Sequence, residues 1–297
     1  MARNSKKRRK YEDKRNWKDV NARLIRRGEF YVNPAFLDNW INEVRAMNAG
    51  KVGQPYMYPT SVITFLAVLH VKNFDFRALE GILCALSRRL GNFPVICFSQ
   101  IRRRIRQLPL EFTAKNDNLI AGIDGTGIKV SNRGEWMRQQ WHVHRGWIKV
   151  VILGDRKGNI IDLRIGNESL DERASARGLL RNNHKHVKKI LMDGLHDCKD
   201  TFNLIDDFGM DTGIKIRKNA SVKGLSRRSK EVKLYKKLGH QQWCKTTEYG
   251  LRWPSTEGIF SAVKTLFGEH VRSHKTRNMY HEARLKFWVY QHLKDLP

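Results

Sequence analysis

Between about residues 34 and 108, apolar side chains recur at helical spacing. Asn33 and Pro34 read as the cap and first residue of a helix whose apolar face is Phe36, Leu37, Trp40, Ile41, Val44 and Met47, ended by Gly50 and Gly53. Further helices are expected over about Thr60 to Lys72 and about Phe76 to Leu90, the latter stopped by Gly91. Ser99 then reads as the cap of a short helix from Gln100 to Gln107. Ile101 and Ile105 mark one face of it, and Arg102, Arg103, Arg104 and Arg106 surround the rest. With the preceding helix it has the outline of a helix-turn-helix, although the connection from Gly91 to Ser99 is long for that motif.

From about Asn118 the period changes. Leu119 to Asp124, Trp147 to Leu153 and Asn159 to Ile165 read as strands, the last two joined by the turn Asp155-Arg156-Lys157-Gly158. A helix over about Asp171 to Arg181 follows. Then come a strand from Val187 to Asp193, a helix from Lys199 to Phe208 and a strand from Thr212 to Arg217. Helices from Thr256 to Phe267 and Met279 to Leu293 close the chain. Three strands, then helix, strand, helix, strand and late helix is the element order of an RNase H-like α/β sheet.

Charge adds the partner. The 297 residues carry 57 Lys and Arg against 29 Asp and Glu, a net +28, which calls for a polyanion, most simply DNA or RNA. Residues 3–10 form a basic tail suited to phosphates or to solvent. The longest apolar run, Val62 to Val71, is too short for the roughly 20 residues a membrane helix needs. Cys84, Cys97, Cys198 and Cys244 are scattered, which argues against a zinc ribbon or a disulfide framework. The pairs His142/His144 and His184/His186 lack a third ligand. Of the tryptophans, Trp141, Trp147 and Trp243 read as packing residues and Trp253 as a candidate base contact.

The chemistry sits at strand ends. Asp124 ends an apolar strand before Gly125-Thr126-Gly127, and Asp193 ends another before Gly194. The glycines leave room for a phosphate. Glu257 opens a later helix able to pack on that sheet. Asp162, Asp171, Asp200, Asp206 and Asp207 read as solvated. Carboxylates gathered this closely need a cation. Oxygen ligands without Cys or clustered His favour Mg²⁺ or Mn²⁺. Two such ions about 3.5–4 Å apart suit phosphodiester chemistry.

These residues resemble the DDE insertion-sequence transposases, in particular the group named after insertion sequence five, over nearly the whole chain. Ile123-Asp124-Gly125-Thr126-Gly127-Ile128-Lys129-Val130 is similar to that family's first-aspartate strand, and Arg145-Gly146-Trp147-Ile148-Lys149 to its second strand. Met192-Asp193-Gly194-Leu195-His196-Asp197 resembles its second-aspartate motif, with His196 where tyrosine is common. Ile216-Arg217-Lys218-Asn219-Ala220 resembles the basic stretch that follows, and Asn16-Trp17, Asn21 and Arg27-Gly28-Glu29-Phe30 the family's opening segment. Tyr249, Arg252, Glu257 and Lys264 match its glutamate region, with the step from Arg252 to Glu257 one residue longer than usual.

The resemblance implies that Asp124, Asp193 and Glu257 are catalytic metal ligands for two Mg²⁺ or Mn²⁺ ions. It implies that Tyr249, Arg252 and Lys264 contact DNA near the cut, with Asp197 supporting Asp193 or capping a helix. An ordinary surface lysine remains the other reading of Lys264. The expected architecture is a basic tail (1–20), a helical DNA-binding region (21–112) and an RNase H-like catalytic domain (113–297) with a mixed sheet and flanking helices. The expected partners are inverted-repeat transposon-end DNA and target DNA, handled by a homodimer or larger assembly in a prokaryotic cytoplasm at the nucleoid, with no membrane. The expected function is metal-dependent cleavage at transposon ends and strand transfer. A domesticated non-catalytic DNA-binding protein and a nuclease without strand transfer are the alternatives.

Overall fold

A computed structural model describes residues 16–31, 35–90, 95–130 and 146–296. Asn33, Pro34, Gly91, His142, His144, Trp141, Arg145 and the basic tail lie outside these described residues. Two compact units result, one up to Pro59 with the last two residues, the other Thr60–Asp295. The first contains α1 (Trp17–Phe30), capped by Asn16, whose side chain accepts from the Lys18 amide at 3.1 Å. The helix expected from Pro34 begins later, as α2 (Trp40–Asn48). Asn39 opens it by accepting from the Glu43 amide, and Ala35–Leu37 forms only a 3-10 turn. Gly50, at φ 69°, ends it in a conformation that favours glycine.

The second unit opens with α3 (Thr60–Val71), buried nearly all round, as an apolar helix inside a protein core must be. The helices α4 (Phe76–Leu90) and α5 (Phe98–Ile105) follow. Ser99 does not cap α5. The Phe98 amide donates instead to Glu80 of α4 at 2.8 Å, so the carboxylate of a neighbouring helix starts α5 two residues earlier than the sequence indicates.

The sheet has six strands, five of them in the sequence order 3-2-1-4-5 across the sheet and a short sixth pairing the first. They are β1 (Leu119–Val130), β2 (Trp147–Asp155), β3 (Ile160–Asn167), β4 (Val187–Met192), β5 (Asp211–Ile214) and β6 (His270–Val271). β1, β2 and β3 are antiparallel neighbours, while β4 and β5 run parallel to β1. This is the RNase H-like mixed sheet expected. β1 does not stop at Asp124. It runs on through Gly125 and Gly127, because β2 pairs with it as far as Lys129.

Helices cover both faces. α6 (Glu172–Asn183), opened by the Asp171 side chain, and α7 (Lys199–Asp207) cover one. Ala121, Ile123, Val151, Ile190 and Met192 point that way, into a core with Ala176, Leu179, Phe202 and Ile205. The opposite face receives α9 (Arg252–Ser255), α10 (Glu257–Phe267) and α11 (Thr276–Lys294). A 20-residue helix, α8 (Arg227–Thr246), precedes them, kinked at Gly239.

Candidate active site

Strand alternation sets the site. Ile123 pairs with Met192 across the parallel β1–β4 ladder, and both face the α6 core. The next residue on each strand therefore points to the other face, side by side with its neighbour. Those residues are Asp124 and Asp193. Asp124 lies mid-strand in β1, but at the point where its parallel neighbour ends. Asp193 follows β4, and its Oδ1 accepts from the Leu195 amide at 2.9 Å.

The same alternation brings Glu257. Gly122 and Gly154 face each other across β1 and β2, on the Asp124 side. A methyl group on Gly122 would lie 2.9 Å from Ser255 Cβ, and one on Gly154 would collide with the Ser255 carbonyl oxygen. This bare patch lets the α9–α10 junction settle onto the sheet. Arg252 Nη1 donates to Asp124 Oδ2 at 2.6 Å, and Arg252 Nη2 pairs with Glu257 Oε1.

The extra residue between Arg252 and Glu257 is absorbed at one place. On an unbroken helix, five positions turn a side chain well away from its partner. Thr256, at φ −137° and ψ −73°, interrupts the helix and returns Glu257 to the face of Arg252.

Burial raises Asp124 above the usual carboxylate range against the Gly125 amide and Arg252, with Asp193 adding to the rise. The Arg252 guanidinium is partly desolvated, yet Tyr249, Asp124 and Glu257 hold its pKa above the ordinary value. Burial likewise pushes the Tyr249 hydroxyl up to about 12, so it stays protonated and can donate. The Tyr249 ring lies 5.7 Å from the guanidinium carbon and is backed by buried Trp243. Trp253, next in sequence to Arg252, is exposed.

Sequence reasoning missed Glu172. It opens α6, and its carboxylate covers Gly125, where a methyl group would meet Oε2 at 2.7 Å. Burial, then Asp124, raises its pKa. Glu172 follows an ordinary helix cap in the sequence, so only tertiary register reveals that it reaches Gly125. Asp197, expected to support Asp193 or cap a helix, braces the Asp193 loop, and the partner that sequence reasoning did not name is Arg228. Asp197 is buried and accepts from Arg228 Nε (2.6 Å), Arg228 Nη2 (3.1 Å) and the Arg217 amide (3.0 Å). Arg217 donates in turn to the carbonyls of Gly194 and Leu195. His196 is fully buried in this loop, its Nε2 3.9 Å from Asp193 Oδ1.

Other candidates lie elsewhere. Lys264 is on α10 and makes no described hydrogen bond or ion pair with the three acids. Arg102, Arg103 and Arg104 lie on α5, and Arg106 is its C-cap. His184 and His186 are engaged by the Arg181 carbonyl and by Asp117.

Among the described residues no group of three or more Asp, Glu, His or Cys side chains is gathered tightly enough to hold an ion. The cation that Asp124 and Glu257 share is the Arg252 guanidinium. The oxygens of Asp124 and Glu257, and of Asp193 adjacent in register, are the donor type that a hard divalent metal takes.

Comparison with known proteins bears on the same residues. Residues 25–133 and 116–291 each match a family model described as a Transposase DDE domain. Among solved structures, a chain from the structure of the simian T-cell lymphotropic virus intasome in complex with PP2A regulatory subunit B56 gamma is 13% identical. The match covers 72% of this chain and 71% of that one at a TM-score of 0.26. Members of the DDE family generally use divalent metal ions. Because the second match takes in Asp124, Asp193 and Glu257 and spans more than half of the sequence, the chain belongs to the DDE transposase family, enzymes that cut and join DNA.

Proposed function

We propose that Asp124, Asp193 and Glu257 are the catalytic acids of this transposase and bind two Mg²⁺ or Mn²⁺ ions. Such ions, when bound, activate an attacking oxygen and stabilise the leaving one. The observation that carries the reading is the shared guanidinium: Asp124 and Glu257, 133 positions apart, meet on Arg252, and register sets Asp193 beside Asp124. Arg252 and Tyr249 hold the scissile phosphate, and Lys264, two turns along α10 on the side of Glu257, meets the same strand further on. The region up to residue 112 selects transposon ends, and Arg102, Arg103, Arg104 and Arg106 of α5 contact the DNA. A homodimer or larger assembly pairs two inverted-repeat ends and joins them to target DNA in a prokaryotic nucleoid.

The test is cleavage of 3′-labelled end DNA by Asp124→Asn, Asp193→Asn and Glu257→Gln variants. Each amide keeps the shape and loses the charge, so each should abolish cutting and spare DNA binding. Near-wild-type nicking by any one of them removes that residue from the site. Strand-transfer products distinguish a transposase from a plain nuclease, and cutting of any kind distinguishes both from a domesticated binding protein.

A further inference from the structure

A groove of about 580 Å³ lies between α5 and the first turns of α11, both within the Thr60–Asp295 unit. Arg102, Arg103 and Arg106 line one wall, with Arg277, Asn278 and His281 on the other. Among its described lining residues there is no carboxylate. Arg102, Arg106 and Arg277 have no ion pair among the described residues, and Arg103 donates only to Gln100. His281 Nε2 is buried without a hydrogen-bond partner. Four guanidinium groups around one concavity repel one another unless an anion enters. Small-molecule pockets of this volume are mostly apolar, which this one is not.

The walls are fixed. Ile101 and Ile105 are buried beneath α5, and Ala283, Leu285 and Phe287 beneath α11. Arg284 of α11 donates to the Leu110 carbonyl at 2.7 Å, tying α11 to the segment that leaves α5. The arginines are thus presented in a preformed recess.

Shape decides between two ways of using them. A helix that reads bases must project into a major groove about 12 Å wide. The α5 helix has eight residues, and its Arg102 and Arg103, with Arg106 at its C-cap, face a second wall that would block such entry. A concave basic surface instead accepts the sugar–phosphate backbone, which positions DNA without reading it.

We propose that this groove is a track for the phosphate backbone of duplex DNA, with Arg277, Asn278 and His281 of the last helix as its second wall and Arg102, Arg103 and Arg106 serving phosphates, not bases. The inference rests on the reading of the chain as a DNA-handling enzyme and adds a partner surface to it.

The test uses the full chain with EDTA present, so that no strand is cut, and labelled duplexes of unrelated sequence titrated over about 50 to 200 mM salt. Each lost phosphate contact should flatten the log–log slope by about 0.9. Arg277→Gln should show that change, and the triple variant Arg102→Gln/Arg106→Gln/Arg277→Gln a change of roughly 2.7. The loss should be equal on every sequence, and Arg277→Lys should restore the slope. Melting curves establish that the variants are folded. An unchanged slope, or a loss confined to one sequence, overturns the proposal. If the slope is unchanged while the wild-type chain cuts DNA, the groove fails and the transposase reading stands. If the wild-type chain neither binds nor cuts any duplex, the underlying reading fails with it.

Discussion

Gly154 lies outside the set of acids, yet its replacement by alanine should disable the enzyme. A Cβ there would collide with the Ser255 carbonyl oxygen and stand 2.7 Å from Ile259 Cδ1 and 3.2 Å from the Ser255 carbonyl carbon. The isoleucine can turn aside, but the backbone carbonyl cannot. Relief requires the α9–α10 junction to lift by on the order of 1 Å, and misplacement of that size can cost roughly 10²-fold in rate. Overpacking of this kind costs about 1–3 kcal/mol, and for a unit of this size each kcal/mol lowers Tm by about 2–4 °C. The expected result is therefore a Tm lower by about 2–12 °C and cleavage reduced by about two orders of magnitude. Gly250→Ala is the control: it lies in the 3-10 turn just before α9, at ordinary φ, with nothing within 4 Å of the added methyl. Melting by circular dichroism and nicking of 3′-labelled DNA read both effects. If Gly154→Ala melts and cuts like Gly250→Ala, the helix junction is not seated on the glycine patch, and the account of how Glu257 reaches Asp124 fails.

Arg228→Met should leave the buried Asp197 carboxylate uncompensated and cost about 3–5 kcal/mol in unfolding free energy, read from urea denaturation; a change within error would show that the pair is not holding the loop. Burial holds His70, His196, His281 and His292 below their ordinary pKa. The unfolded chain then takes up protons below about pH 6.5 that the folded chain refuses, so stability present at neutral pH is lost as pH falls. Tm should drop between about pH 7.5 and pH 5.5, less steeply in His196→Gln; a flat profile would contradict the burial of these rings. EDTA should abolish cleavage, Mg²⁺ or Mn²⁺ should restore it, and a zinc-selective chelator should have no effect; stoichiometric zinc in active protein would overturn the oxygen-ligand reading.

The two aspartates were legible because Asp124 and Asp193 each follow a short apolar run and precede glycine, a pattern local to the chain, although β1 itself runs on past Asp124. Glu257 was legible through its spacing to Lys264 and its place at a helix start. The helix α8 was not, because its Lys and Arg residues swamp the apolar repeat, and only Ser229, Val232 and Trp243 are buried along its length. The break at Thr256 was hidden because an inserted residue reads the same whether it displaces a partner or is absorbed in the backbone. Glu172, like the Asp197–Arg228 pair, joins residues through register between distant strands and helices, which no sequence window contains. The arginines of α5 were visible as a cluster, but the opposing wall of the groove comes from the last helix, 171 positions beyond Arg106 at Arg277.

The brace between Arg228 and Asp197 also bears on how the molecule could be reduced in size. Residues 215–248, between β5 and the Arg252 helix, look like a removable insert, since the sheet closes without them. Excising them would remove the counter-charge of a buried acid in the Asp193 loop, and with it the Trp243 ring that backs Tyr249. A minimal transposase core must therefore retain this segment, and swapping it for that of a relative would succeed only where the donor brings its own partner for Asp197.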